Sequence, residues 1–195
     1  HDALRSRQFH DEGLLAIHGT FESINSIYVI CELMEGRHLQ EEMQFRQFAQ
    51  PETKEIIKKL LHGLDVLASR SVTHRDLKPE NIMFRTKGSC DAVIIDFGLA
   101  TCSTDNQRLF SRCGTPGFVA PEIINNKQSS TNCTPASDIF SLGLIFYEML
   151  QGKSIFNASS PAELFAQNKL CNFACLNEQL CNISKEGRQL LSMML

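Results

Sequence analysis

The chain has 195 residues, 43% hydrophobic and 21% charged, with 19 Lys and Arg against 22 Asp and Glu for a net charge of −3. That length suits one domain able to bury about 70% of its unfolded surface, and the composition excludes wholesale disorder, collagen and coiled coil. Without a positive excess there is no bulk attraction to nucleic acid or anionic lipid, so neither is expected as a partner.

The first segment, His1 to Phe9, reads as helical, and Asp11-Glu12-Gly13 breaks it. Leu14 to Thr20 and Ser26 to Glu32 are β-rich runs separated by Glu22-Ser23-Ile24-Asn25, which predicts a hairpin. Ile27 to Cys31 is apolar throughout, as expected of a strand buried on both faces. After Pro51, the apolar residues Ile56, Ile57, Leu60, Leu61, Leu64 and Leu67 recur at helical spacing, with Lys54, Glu55, Lys58 and Lys59 on the other face. Ile82-Met83-Phe84 and Ala92 to Ile95 flank Lys87-Gly88 and predict a second hairpin. Ala100 to Ser111 is polar without a clear period and reads as a loop. Pro135 to Leu150 reads as a buried helix stopped by Gly152, and Pro161 to Gln167 and Lys185 to Leu195 as further helices. The longest apolar stretch, Ile139 to Leu150, is interrupted by Ser141, Gly143 and Glu148. It falls short of the roughly 20 residues of a membrane span, so no membrane partner is expected.

Eight cysteines form no CxxC pair. They read as free thiols packed as small hydrophobes, with a metal at Cys171, Cys175 and Cys181 as the competing reading. Three N-x-S/T sequons begin at Asn132, Asn157 and Asn182 and carry meaning only in a secreted chain. Free thiols and the lack of a targeting segment lead to a cytoplasmic or nuclear expectation.

The strongest chemical signal is His74-Arg75-Asp76-Leu77-Lys78-Pro79-Glu80-Asn81. Asp96-Phe97-Gly98 follows directly after an apolar strand. Then come Gly114-Thr115-Pro116-Gly117, Ala120-Pro121-Glu122 and Ser137-Asp138-Ile139-Phe140-Ser141-Leu142-Gly143. Any one of these alone reads as an ordinary turn or strand end. In this order the chain resembles a eukaryotic serine/threonine protein kinase catalytic domain, closest in flavour to the calcium/calmodulin-dependent group.

The resemblance implies an α+β, protein-kinase-like fold, with residues 1–34 as the end of a partial small lobe and hinge, and 35–195 as a mainly helical large lobe. It implies ATP and Mg²⁺ as cofactors and protein substrates as partners. Phosphoryl transfer needs positioning and charge neutralisation more than covalent chemistry from the protein. By resemblance Asp76 orients the incoming hydroxyl and accepts its proton, Lys78 meets the moving phosphate, and Thr115 bonds both. Asn81 and Asp96 offer hard oxygen ligands for Mg²⁺. Cys31 falls at the gatekeeper position. The backbones of Glu32 and Met34 fall where adenine is bonded, and Met83 where it packs beneath the ring. His38 stands where many kinases place an acid near the ribose. Asp138 is expected to bond the catalytic-loop backbone, and Phe140 stands in place of the usual tryptophan. His74 and Phe97 are expected to stack with Ile17.

Ser111 falls where the family carries its activating phosphate, added by an upstream kinase or by autophosphorylation, with Arg75 as the bidentate partner and Ser103 and Thr104 as further candidates. Glu80 and Glu148 fall where kinases that prefer basic residues before the target Ser or Thr place acids. Neither a G-x-G-x-x-G loop nor a V-A-I-K strand occurs, and both are expected before His1, with Asp2 as one candidate for their acidic partner. The chain is therefore expected to be a fragment, poorly active by itself, of an active parent. The competing readings are a pseudokinase that binds or scaffolds without turnover, and a small-molecule phosphotransferase of similar fold.

Overall fold

The computed structural model describes residues 12–102, 113–125, 134–173, 176 and 180–195. The expectations for residues 1–11, and for Ser103, Thr104 and Ser111, lie outside them. The described part begins with strands β1 (Ile17–Glu22) and β2 (Ile27–Cys31), paired antiparallel with Phe21 opposite Tyr28 and an irregularity between Ile17 and Gly19. The hairpin is as expected, but its burial is not. All of β2 is exposed, with Ile27 at 72% and Ile30 at 48%. An unbroken apolar run fixes the strand but not what covers it. Among the described residues this sheet has two strands, with Ile17, Gly19 and Thr20 of β1 half-buried and β2 left uncovered.

A short helix, α1 (Leu39–Phe45), follows and buries only Leu39. The long helix α2 (Gln50–Ser69) begins with Pro in its first turn, and the Glu52 carboxylate accepts the Ala49 N–H at 3.2 Å. It buries Ile56, Ile57, Leu60, Leu64 and Leu67 of the predicted apolar face, while Leu61, at its edge, is half-buried. That face packs on α4 (Pro135–Gln151), which is buried around most of its circumference, as an apolar helix must be. Helix α4 stops at Gly152, which takes φ 68° and donates its N–H to Glu148 O at 2.7 Å.

Between these helices lie the short strands β3 (Val72–Thr73), β4 (Ile82–Phe84), β5 (Ala92–Ile94) and β6 (Thr101–Cys102). The β4–β5 pair is the predicted second hairpin, Met83 opposite Val93. The β3–β6 pair lies partly in the stretch read as loop, because Thr101 and Cys102 find antiparallel partners in Thr73 and Val72. Two residues are too few for any period to show in sequence. Helices α3 (Pro121–Asn125), α5 (Pro161–Leu170) and α6 (Lys185–Met194), with one 3-10 turn at Pro79–Asn81 ahead of β4, complete the described elements.

The β1–β2 unit joins the rest through β5, where Leu15 N–H donates to Ile94 O at 3.0 Å and Ile94 N–H to Gly13 O at 2.8 Å. It also joins through β4, where Glu35 N–H donates to Arg85 O and Gly36 N–H to Phe84 O. Gly36 sits so close that a Cβ there would lie 2.4 Å from Phe84 O, so only glycine permits this approach. No helix among the described residues is long and apolar enough to cross a membrane.

Candidate active site

The segment between β3 and β4 carries His74 to Asn81, and buried Asp138, on the first turn of α4, shapes it. One carboxylate oxygen of Asp138 accepts the His74 N–H at 2.7 Å and the other the Arg75 N–H at 2.9 Å. Burial pushes the Asp138 carboxyl upward, and those two donors pull it back. The bond at Arg75 helps offset the cost of its φ of 74°, a conformation that L side chains rarely adopt. His74 is fully buried. Its Nε2 lies 3.0 Å from Ile95 O, which can only accept, and its Nδ1 takes the Asp76 N–H at 3.3 Å. This pairing sets a proton on Nε2, facing the Ile95 carbonyl. The ring meets Phe97 edge-on at 5.2 Å between centroids. His74 is therefore a spacer in the core, as its sequence context suggested.

This frame presents a compact polar cluster. Thr115 Oγ1 donates to Asp76 Oδ1 at 2.7 Å and accepts from Lys78 Nζ at 3.0 Å. Lys78 Nζ also lies 3.2 Å from Asp76 Oδ2. Asn81 Nδ2 donates to Asp76 O at 2.8 Å and approaches Asp76 Oδ2 at 3.4 Å. Ile95 N–H donates to Asn81 O at 2.9 Å, which sets Asp96 beside Asn81 in the chain path. Asp96 is exposed with φ 60°, and its Oδ1 accepts the Gly98 N–H at 3.1 Å. The structure thus brings together Asp76, Lys78, Thr115 and Asn81, with Asp96 one residue past their partner Ile95. Two non-glycine residues with positive φ, Arg75 and Asp96, flank the cluster.

The remaining predicted residues form two groups. His38 Nδ1 lies 2.7 Å from Glu80 O, and His38 bridges Met83 in an isolated antiparallel pair. The Glu80 side chain is exposed. Glu148, on α4, is held up to about 7 by burial, opposed by a hydrogen bond from Ser154 and reinforced by the charge of Glu80. Cys31, Glu32 and Met34 follow one another at the end of β2. Cys31 is an exposed free thiol, not a buried one, because β2 is open on both faces.

Sequence reasoning missed the ion network behind this segment. Arg85 grips Glu32 with two nitrogens, Nε to Oε2 at 2.8 Å and Nη2 to Oε1 at 3.1 Å. Arg85 also donates to Asp91 Oδ1 and Leu14 O, and Lys59 pairs with the same Asp91 carboxylate. Glu32 Oε1 accepts the Ala16 N–H at 2.8 Å. No local spacing links Glu32 to Arg85, and only the meeting of two distant strands joins them. Asn168, fully buried on α5, was also missed.

A family profile for the protein kinase domain matches residues 4–195. A probable myosin light chain kinase of Dictyostelium discoideum is 33% identical over 93% of this chain and 59% of its own length. A calcium/calmodulin-dependent protein kinase type 1 of Macrobrachium nipponense is 31% identical over 83% of this chain and 46% of its own length. The solved twitchin kinase region from C. elegans superposes with a TM-score of 0.79 at 29% identity, over 94% of this chain and 32% of that one. The chain spans less than two thirds of each of these relatives.

Proposed function

The chain belongs to the protein kinase domain family, and on that footing we propose that it serves a serine/threonine kinase that moves the γ-phosphate of ATP to protein Ser and Thr hydroxyls. The observation that carries this reading is the Thr115 hydroxyl joined to both Asp76 and Lys78. A carboxylate and an ammonium held a hydrogen bond apart suit a hydroxyl nucleophile and a transferring anion at one point. Asp76 orients the acceptor hydroxyl and receives its proton. Lys78 sets positive charge against the phosphoryl group in flight. Thr115 keeps the two side chains in register between turnovers.

The donor set suits Mg²⁺. Asn81 and Asp96 are hard oxygen ligands, and Mg²⁺ takes most of its shell from water and phosphate rather than from a protein cage. Asn81 spends Nδ2 on Asp76, which leaves Oδ1 for the metal. Bound Mg²⁺ would neutralise charge on the phosphates. The adenine would lie along the backbones of Glu32 and Met34, near Cys31 and above Met83, with His38 toward the ribose. A phosphate on Ser111 would pair with the Arg75 guanidinium beside Asp76.

Acceptors with basic residues before the target hydroxyl are favoured by Glu80 and Glu148. Burial, and to a lesser degree the charge of Glu80, disfavour the ionised Glu148 carboxyl, and a guanidinium would relieve both. The test supplies labelled ATP and Mg²⁺ to the full-length protein with matched Ser, Thr and Tyr peptides. Label on Ser and Thr supports the reading. Label on Tyr alone contradicts the specificity. Nucleotide binding without transfer contradicts the activity and favours a scaffold.

A further inference from the structure

The segment that follows Thr115 has no strand partner among the described residues; beyond a turn bond from Phe118 N–H to Thr115 O at 3.1 Å, side chains hold its backbone. Ser141 Oγ, from α4, lies 2.7 Å from Phe118 O. On either side of that point, one residue of α5 holds the chain twice. Asn168 Oδ1 accepts the Gly117 N–H at 3.0 Å, and Asn168 Nδ2 donates to Val119 O at 2.8 Å. Reversing the amide would set like groups against each other at both ends, so the pairing fixes its orientation.

Asn168 is fully buried in a helix. Asparagine is a poor helix former, and a buried amide is costly unless bonded. An apolar side chain of similar size would suit both the helix and the burial better. What the carboxamide alone supplies is a fixed backbone at Gly117 and Val119. Gly117, with φ 97°, also rests against Leu164 of the same helix, where a Cβ would meet Leu164 Cδ1 at 3.4 Å. The strap so held is continuous with Thr115, which touches Asp76 and Lys78. A polypeptide acceptor that puts its hydroxyl at Asp76 must pass its neighbouring residues beside this strap.

We propose that Asn168 is a positioning residue for the polypeptide acceptor, acting through the backbone of Gly117 to Val119; the inference rests on the kinase reading above. ATP is held elsewhere, so the acceptor should feel the loss of Asn168 and the nucleotide should not.

The experiment compares the full-length protein with Asn168→Leu, which keeps the branched outline of the side chain, adds some bulk and removes both bonds, and with Asn168→Ala, which opens space without a clash should the Leu variant not fold. The readouts are KM and kcat for a peptide with Arg before a central Ser, KM for ATP, ATP hydrolysis without peptide, and anisotropy of the same peptide carrying fluorescein. Thermal unfolding shows which variants are folded. Loss of two backbone bonds at the strap should raise the peptide KM and Kd on the order of 10-fold. ATP KM and peptide-free hydrolysis should stay within about twofold. An unchanged peptide Kd in a folded variant overturns the proposal, as does hydrolysis that falls in parallel with peptide transfer. Wild-type protein that binds the peptide but transfers nothing defeats the kinase reading alone, and the ratio of peptide Kd values then decides the role of Asn168. Wild-type protein that binds no peptide overturns it as well.

Discussion

Replacing Arg85 by Met should cost about 3–4 kcal/mol of folding stability, because it strands a carboxylate away from water. The Arg85 side chain is 12% exposed and that of Glu32 8%, and two nitrogens of one meet two oxygens of the other. At an effective dielectric constant near 20 and a separation of 2.8 Å, the gross attraction is about 6 kcal/mol. Desolvation of both groups cancels much of that in the intact pair, but the penalty on Glu32 remains when Arg85 is gone. Met preserves the apolar stem, so lost packing contributes little. Urea unfolding of the wild type, Arg85→Met, Glu32→Gln and the double variant would give the coupling, expected at about 2–3 kcal/mol. Because Glu32 begins the segment assigned to adenine, Arg85→Met should also raise the ATP KM several-fold and leave the peptide KM unchanged. A stability loss under about 1 kcal/mol, the value of an exposed ion pair, would refute the reasoning.

Glu148→Gln removes a carboxyl that folding holds at about 7. A carboxyl raised on folding burdens the native state only when ionised, so the burden is absent below about pH 4.5, grows as pH rises to 7 and is full above it. Glu148→Gln should therefore be more stable than the wild type at pH 8, by up to about 3 kcal/mol, and equal to it at pH 4. The same variant should lose preference for Arg-containing peptides, whereas wild-type preference should strengthen from pH 6 to 8; a preference flat with pH would count against the acidic pair. Thr115→Val should lower kcat about 10-fold with under about 1 kcal/mol change in stability, since the hydroxyl serves only the partly buried Asp76–Lys78 pair. Gly36→Ala should destabilise by about 2 kcal/mol or more, because its Cβ would meet backbone at 2.4 Å; unfolding midpoints within a degree of wild type would contradict that contact.

What the sequence made legible is what is local or strongly patterned. Helix α2 follows from Ile56 to Leu67 at helical spacing, and the ends of α4 from Pro135 and Gly152. The cluster of Asp76, Lys78, Asn81 and Thr115 follows from motif order, and the distances between their side chains agree with it. Helix α1 was not legible, because it buries only Leu39 and so carries no apolar stripe. The exposure of β2 was not legible either, since an apolar run is the same whether or not something covers it. Arg85 and Asn168 escaped for a third reason. Their partners lie 53 and about 50 positions away, and their burial depends on elements meeting in space.

The most direct measurement is phosphoryl transfer to a Ser peptide by the full-length protein and by its Asp76→Asn variant, with ATP binding measured alongside. Asn keeps the shape of the side chain and removes the group that orients the hydroxyl and takes its proton. The account predicts a fall in kcat of about 10²–10⁴-fold with ATP binding within about threefold of wild type. Transfer by the variant within tenfold of wild type would contradict it.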